Sequence, residues 1–301
     1  MPRASGSARA LEWKGAALGA EARIVLWSDN RHAAARVIDS CVAEIERLEQ
    51  EFSLYRSSSA LARLNREGRL EAPSLDMRHL LQEAIRFGDL TGGTFDVTVQ
   101  PLWSLYANHF AASPTASAPQ RDLVGEACKR IDYRSIDVSA REIAFARDGM
   151  AITLNGIAQG YITDRIADLL RNNGFDHVLI DAGEIRALNG RGDGRPWRIT
   201  LDHPVSSETV DLEAMALATS SGLRSKFSAD GRIHHLINPR SGNCPEASRT
   251  VSVLAPTATA ADALSTVLCM MPPEQGQTLI RDMKSAVAIV TEPDEIRRVF
   301  R

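Results

Sequence analysis

The chain has 301 residues, 44% hydrophobic and 24% charged, and its 35 lysines and arginines against 38 acids leave a net charge of −3. That composition belongs to a globular protein able to bury one large core or two small ones. Basic residues scattered without a net positive field argue against nucleic-acid binding, which depends on clustered cations. No apolar run reaches membrane-spanning length, and the first 22 residues have a basic start but no continuous apolar stretch, so neither a transmembrane segment nor a secretory signal is expected. We expect a flexible segment over 1–22 ahead of one domain over 23–301, cytoplasmic as the chain is written. Cys41, Cys128, Cys244 and Cys269 are far apart with no CxxC pair, which disfavours zinc sites and disulfide frameworks. Cys41 and Cys269 fall on apolar helical faces, while Cys244 lies in a loop.

Residues 23–27 (RIVLW) predict a strand, and Ser28 or Asp29 can cap a helix whose Val37, Ile38, Cys41, Val42, Ile45 and Leu48 form one apolar stripe. Phe52 to Asn65 predicts a short extended piece, a capping serine cluster and a helical turn carrying Leu61 and Leu64. Ser74 starts a second amphipathic helix that ends at Thr91-Gly92-Gly93. Thr94 to Val99 (TFDVTV) alternates as a strand closing at Pro101, with Trp103 and Tyr106 behind it. Residues 111–120 form a surface loop, and short strands follow at 135–138 and 142–146.

Met150 to Leu154 predicts a strand, Asn155-Gly156 a bend, Ile162, Ile166, Leu169 and Leu170 a helix, and His177 to Asp181 a second strand. Further strands are expected at 196–201, 209–212, 214–219, 232–238, 251–254 and 286–290, and helices near 259–271 and 274–283. The mixture predicts the α+β class, with mostly antiparallel sheets, packed helices and a central strand–helix–strand unit.

Several residues suit chemistry. The small-residue bend before the central helix leaves backbone N–H groups free to meet a phosphate, although an ordinary entry turn uses the same residues, and neither a Rossmann fingerprint nor a Walker lysine is present. Asp262 and Thr266 lie four apart on one helix face and present two hard oxygens, as Mg²⁺ or Ca²⁺ prefers; an aspartate early in a helix also serves the macrodipole. His234 and His235 are adjacent in an expected strand and so face opposite ways, and the alternation does not choose between them. Tyr55, among hydroxyls, suits a polar aromatic ligand or a half-buried structural role equally.

In order, FSLYRSSSALARLN, TGGTFDVTVQPLW, TLNGIAQGYITDR, DAGEIRAL, ATSSG, HHLINPRSG and TATAADALSTVL span residues 52–268. Together they resemble the ApbE family of FAD:protein FMN transferases, and GIAQGYITDR with DAGEIRAL is most similar to its NosX branch. The resemblance implies a single ApbE-like domain that binds FAD as substrate and cleaves its pyrophosphate with Mg²⁺. FMN is then esterified to a threonine or serine of an acceptor flavoprotein, such as a membrane respiratory subunit, and AMP leaves. It further implies Asp262, Thr266 and the Ala158 carbonyl as metal ligands and His235 as the group assisting proton removal from the acceptor hydroxyl. Tyr55, Gly93, Thr94, Phe95, Asp96, Thr153 and Gln159 match contacts to flavin or nucleotide. By the same resemblance the compartment is periplasmic if the N-terminus is trimmed.

The chain departs from the family pattern at four places. Many members have aspartate at Thr153, lysine at Gln159, aspartate at Asn238, and two glycines where this chain has only Gly183. Losing a lysine and a carboxylate near a pyrophosphate changes the local charge by nearly cancelling amounts. Retention of Asp262, Thr266 and His235 favours an active transferase over an FAD-binding carrier or a pyrophosphatase giving FMN and AMP.

Overall fold

The structure, a computed structural model, describes residues 9–17, 19–203, 206–292, 294 and 296–301. Arg9–Ala17 (β1) and Ala20–Ser28 (β2) form an antiparallel hairpin, so part of the opening segment expected to stand apart is the sheet partner of the first expected strand. Residues 1–8 and 18 lie outside the described residues. Arg31–Phe52 (α1) is capped by Asn30 rather than by Ser28 or Asp29: the Asn30 side chain accepts from the Ala33 N–H at 3.0 Å, and Ser28 Oγ accepts from the Asn30 N–H at 3.0 Å.

Ser59 caps Ala60–Glu67 (α2), which stops at left-handed Gly68, and Arg69–Glu71 (β3) follows. Ser74 caps Leu75–Leu90 (α3). Gln100–Ala112 (α4) and Arg121–Cys128 (α5) precede Ile136–Val138 (β4) and Glu142–Phe145 (β5), which form a small sheet with β3. Next come Ala158–Asn172 (α6), Val178–Asp181 (β6) and Ile185–Ala187 (β7). Trp197–His203 (β8) and Ser206–Leu212 (β9) make a separate hairpin. Ala216–Ser221 (β10), Thr250–Ala255 (β11), Ala258–Met270 (α7), Pro273–Met283 (α8), Val287–Thr291 (β12) and Arg297–Phe300 (β13) complete the chain.

The main sheet has the order β1-β2-β6-β7-β10-β11-β12-β13, with every neighbouring pair antiparallel. Strand alternation gives it two apolar faces. Ile24, Leu26, Val178, Ile180, Val251 and Val253 enter the large core built with the helices, whereas Val25, Leu179 and Leu217 pack under Trp197, Leu201 and Leu212 of the β8–β9 hairpin. A third cluster joins α4 and α5 to Ile237. The α+β class with antiparallel sheets is as expected, and among the described residues no helix is long and apolar enough to cross a membrane.

Three expected strands are not strands, each because a side chain or a local carbonyl takes the backbone group that a neighbouring strand would need. In Thr94–Val99 the Asp96 carboxylate accepts from the Thr98 N–H at 2.8 Å and from the Tyr133 N–H at 3.1 Å, which turns Val97–Val99 into a 3-10 helix. Pro101 then starts α4, so Trp103 and Tyr106 are helical. Met150–Leu154 has no strand neighbour. Asn65 holds Ile152 from both sides, its Oδ1 accepting from the Ile152 N–H at 2.7 Å and its Nδ2 donating to the Ile152 carbonyl at 2.8 Å. The 232–238 run folds back on itself through Phe227 N–H to Ile233 O and His235 N–H to Ser225 O, leaving only a Lys226–His234 bridge.

Two features fix α6 against α7. A Cβ on Gly160 would lie 2.3 Å from the Ala258 carbonyl oxygen, so only glycine permits this approach. Asp164, one turn further along α6, caps α7 by accepting from the N–H groups of Ala258 and Thr259, both at 2.9 Å, and its carboxylate is held by Arg186 at 2.9 Å. Gly160→Ala is therefore expected to lower unfolding free energy by about 3 kcal/mol or more, because the obstacle is backbone rather than a flexible side chain. Asn65→Ala, which strands both polar groups of Ile152, is expected to cost about 2 kcal/mol. Urea unfolding of both variants measures these changes.

Candidate active site

A cavity of about 670 Å³ opens where the start of α6, the middle of α7 and the end of β10 converge. Of the eleven site residues expected from the sequence, ten line it, and Gly93 does not. Gly93, with φ of 81°, instead closes the end of α3 by donating its N–H to the Gly88 carbonyl at 2.7 Å.

One corner of the cavity is anionic. Asp262 is 3% exposed, and its Oδ2 accepts from the Gly160 N–H at 3.1 Å. Thr266 follows one turn later, its Oγ1 lying 3.4 Å from Ser220 Oγ. Gly156 keeps the corner open, since a Cβ there would come 3.3 Å from Thr266 Oγ1. Glu184, in the turn between β6 and β7, is 5% exposed and lines the same space.

Burial, reinforced by the Asp262 charge beside it, pushes the Glu184 carboxyl well above its usual range. Burial raises Asp262 as well, opposed by the Gly160 N–H and by Arg224. Neither carboxylate forms an ion pair among the described residues. Two buried, unpaired carboxylates beside a threonine hydroxyl and the start of a helix are a donor set that fits a hard divalent cation. Among the described residues no group of three or more His, Cys, Asp or Glu side chains could hold a metal. A cation at this corner therefore also needs hydroxyl and carbonyl oxygens, such as those of Thr266 and Ala158.

His235 lines the same cavity. Its main-chain N–H and its Nδ1 both meet the Ser225 carbonyl, at 3.0 and 3.1 Å. A carbonyl only accepts, so Nδ1 carries the hydrogen and the neutral ring keeps Nε2 as its basic nitrogen. Burial holds the ring below the usual histidine range, and His234 and Arg224 add to the shift. His234 faces away into the core, where it is fully buried and its Nε2 lies 2.8 Å from the Pro245 carbonyl. Burial raises the Cys244 thiol, which donates to the His234 carbonyl at 3.4 Å, and this disfavours the reactive thiolate.

The remaining expected residues divide by what their polar groups do. The Asp96 carboxylate is occupied by Thr98 and Tyr133, so at the cavity it presents a turn rather than a free charge. Thr153 Oγ1 accepts from the Asn155 N–H at 3.2 Å and shapes the bend before α6. Gln159 packs so closely on Gly183 that a Cβ there would lie 2.4 Å from its Nε2. Tyr55 is 81% exposed at the rim. Asn238 is not in the wall; its Oδ1 accepts from the Arg240 and Ser241 N–H groups at 3.0 and 3.1 Å, a task for which aspartate and asparagine are equivalent.

Glu184 and Arg224 are cavity residues that the sequence reading did not single out. Each follows a signal that was visible, Glu184 in DAGEIRAL and Arg224 just after the hydroxyl-rich ATSSG.

Comparison with known proteins agrees with this architecture. The ApbE family profile matches residues 18–291. A Vibrio cholerae protein named FAD:protein FMN transferase is 31% identical over 263 residues, covering 83% of this chain and 78% of its own length. An Escherichia coli (strain K12) protein of the same name is 28% identical over 273 residues, covering 86% and 77%. The ApbE protein of Thermotoga maritima superposes with a TM-score of 0.84 at 24% identity, covering 96% of each chain, a likeness of fold. From a profile that spans nearly the whole chain and a relative above 30% identity, the chain belongs to the ApbE family.

Proposed function

We propose that this protein is a Mg²⁺-dependent FAD:protein FMN transferase. It would split the pyrophosphate of FAD and join FMN through a phosphoester bond to a threonine or serine of an acceptor flavoprotein, such as a membrane respiratory subunit, releasing AMP. The observation that carries this reading is the meeting of the Asp262–Thr266 corner and the basic nitrogen of His235 in one cavity of an ApbE-family chain. FAD and the protein acceptor come from the name borne by the curated relatives.

Asp262, Thr266 and the Ala158 carbonyl would hold the metal. When bound, Mg²⁺ supplies positive charge to the pyrophosphate and the departing AMP. Tyr55, Thr94, Phe95, Asp96, Thr153 and Gln159 surround flavin and nucleotide, and Gly93 closes the helix end beside that wall. As the acceptor oxygen bonds to the FMN phosphorus and the phosphorus–oxygen bond to AMP breaks, His235 Nε2 takes the hydroxyl proton. The depressed affinity of His235 for protons keeps it a free base at neutral pH.

The deciding experiment is intact-mass analysis of an acceptor domain after incubation with the protein, FAD and Mg²⁺, with AMP measured in the same tube. A covalent FMN adduct with matching AMP, both lost on chelation, is expected. AMP without an adduct would make the protein a hydrolase, and bound FAD without AMP would make it a carrier. Asp262→Ala is expected to cut both products by about 100-fold or more. His235→Gln should lower turnover by about 100-fold while leaving FAD affinity unchanged by equilibrium dialysis. In the wild type the rate should hold as pH falls to 6.5, the ordinary histidine value, and drop below it as the His235 ring charges; the glutamine variant should lack that limb.

A further inference from the structure

We infer that Glu184 is a second carboxylate ligand of the cation proposed at Asp262, and that it lets this chain bind the cation before any nucleotide arrives. The inference rests on the Asp262 reading and adds a second acid to it.

The backbone at Glu184 is fixed from two sides. Its carbonyl accepts from the Ala182 N–H at 3.1 Å and from Thr163 Oγ1 of α6 at 3.4 Å. Gly183, with φ of 97° and Gln159 packed against it, supplies the turn that brings this backbone up to the first turn of α6. The side chain is thereby delivered to the cavity wall at 5% exposure, close enough to Asp262 for the two charges to repel.

Each carboxylate is only partly satisfied by protein. Asp262 uses Oδ2 for the Gly160 N–H, and its other oxygen has no hydrogen-bond partner among the described residues although the side chain is 3% exposed. Glu184 takes the Thr219 N–H, one of about four lone-pair positions a carboxylate offers. Arg224 faces the cavity but is exposed and forms no ion pair with either acid. With Gln159 standing where lysine is common, no amine from α6 balances the two acids. A divalent cation between them does so, and added carboxylate charge is the usual way such sites gain affinity.

The test is titration of the full, nucleotide-free chain with Mn²⁺, free Mn²⁺ being read by electron paramagnetic resonance. The wild type is expected to bind one Mn²⁺. Glu184→Gln should weaken binding by about 10-fold or more, and Glu184→Asp, which keeps the charge on a shorter arm, should fall between the two. Melting in chelator controls for folding: Glu184→Gln should unfold no lower than the wild type, having lost one of two like charges, and should lose most of the stabilisation that Mn²⁺ confers. If Glu184→Gln binds Mn²⁺ as tightly as the wild type while Asp262→Asn does not bind it, the role of Glu184 is overturned and the cation site stands. If Asp262→Asn also binds as the wild type does, the cation site itself is overturned.

Discussion

The close crossing of α6 and α7 at Gly160 is the contact on which the rest of the cavity depends. Ala158 and Gln159 belong to the first turn of α6, and Asp262 and Thr266 to α7, so the separation of these groups is the separation of two helices whose backbones touch. Asp164 makes the crossing a fixed joint instead of a sliding contact. It satisfies the free N–H groups at the start of α7 with a side chain anchored in α6, and Arg186 on β7 ties both to the sheet. Gly160 acts twice, giving its missing side chain to the packing and its N–H to Asp262.

This joint explains how two acids can be held away from water without ion-pair partners. Such an arrangement opposes folding, because each charge loses hydration and repels the other. It is tolerated because the surrounding apolar core is large, drawing on the sheet, α1, α3, α6 and α7 together. Polarity at functional sites is commonly stabilised at a distance in this way.

Much of the fold was legible in the sequence where an apolar period ran uninterrupted. The stripe of α1 apart from Val42, which is exposed, the serines before α2 and α3, the strands β10 to β12 and the helix α7 follow directly from pattern and cap. Failures cluster where a polar side chain or a loop carbonyl intercepts the backbone. Asp96, Asn65 and the Ser225 carbonyl each convert a stretch with strand-like alternation into something else, and a hydrogen bond to a residue 87 positions away, as between Asn65 and Ile152, has no local signature.

The site divides along the same line. Asp262 and Thr266 were visible because helical spacing is a local property. The alternation of the strand could not choose His235 over His234, since the choice depends on a loop closing on Ser225, and in the sequence it rests on the family resemblance alone. Glu184 was hidden because one acid in a short turn looks solvated until the strands and α6 are placed around it.

The order of the strands also governs when this protein can become functional during its synthesis. β2 pairs on one side with β1, its immediate neighbour in sequence, but on the other with β6, through Arg23 opposite Asp181. The innermost strands wait longer still, because β7 meets β10, and the α7 wall of the cavity is made only after both. Contacts so distant along the chain form slowly, and until they form the β1–β2 hairpin presents an open edge to other chains. The cavity is thus assembled only after the contacts that join β2 to β6 and β7 to β10 are in place, and its occupation by a ligand reports that they have formed.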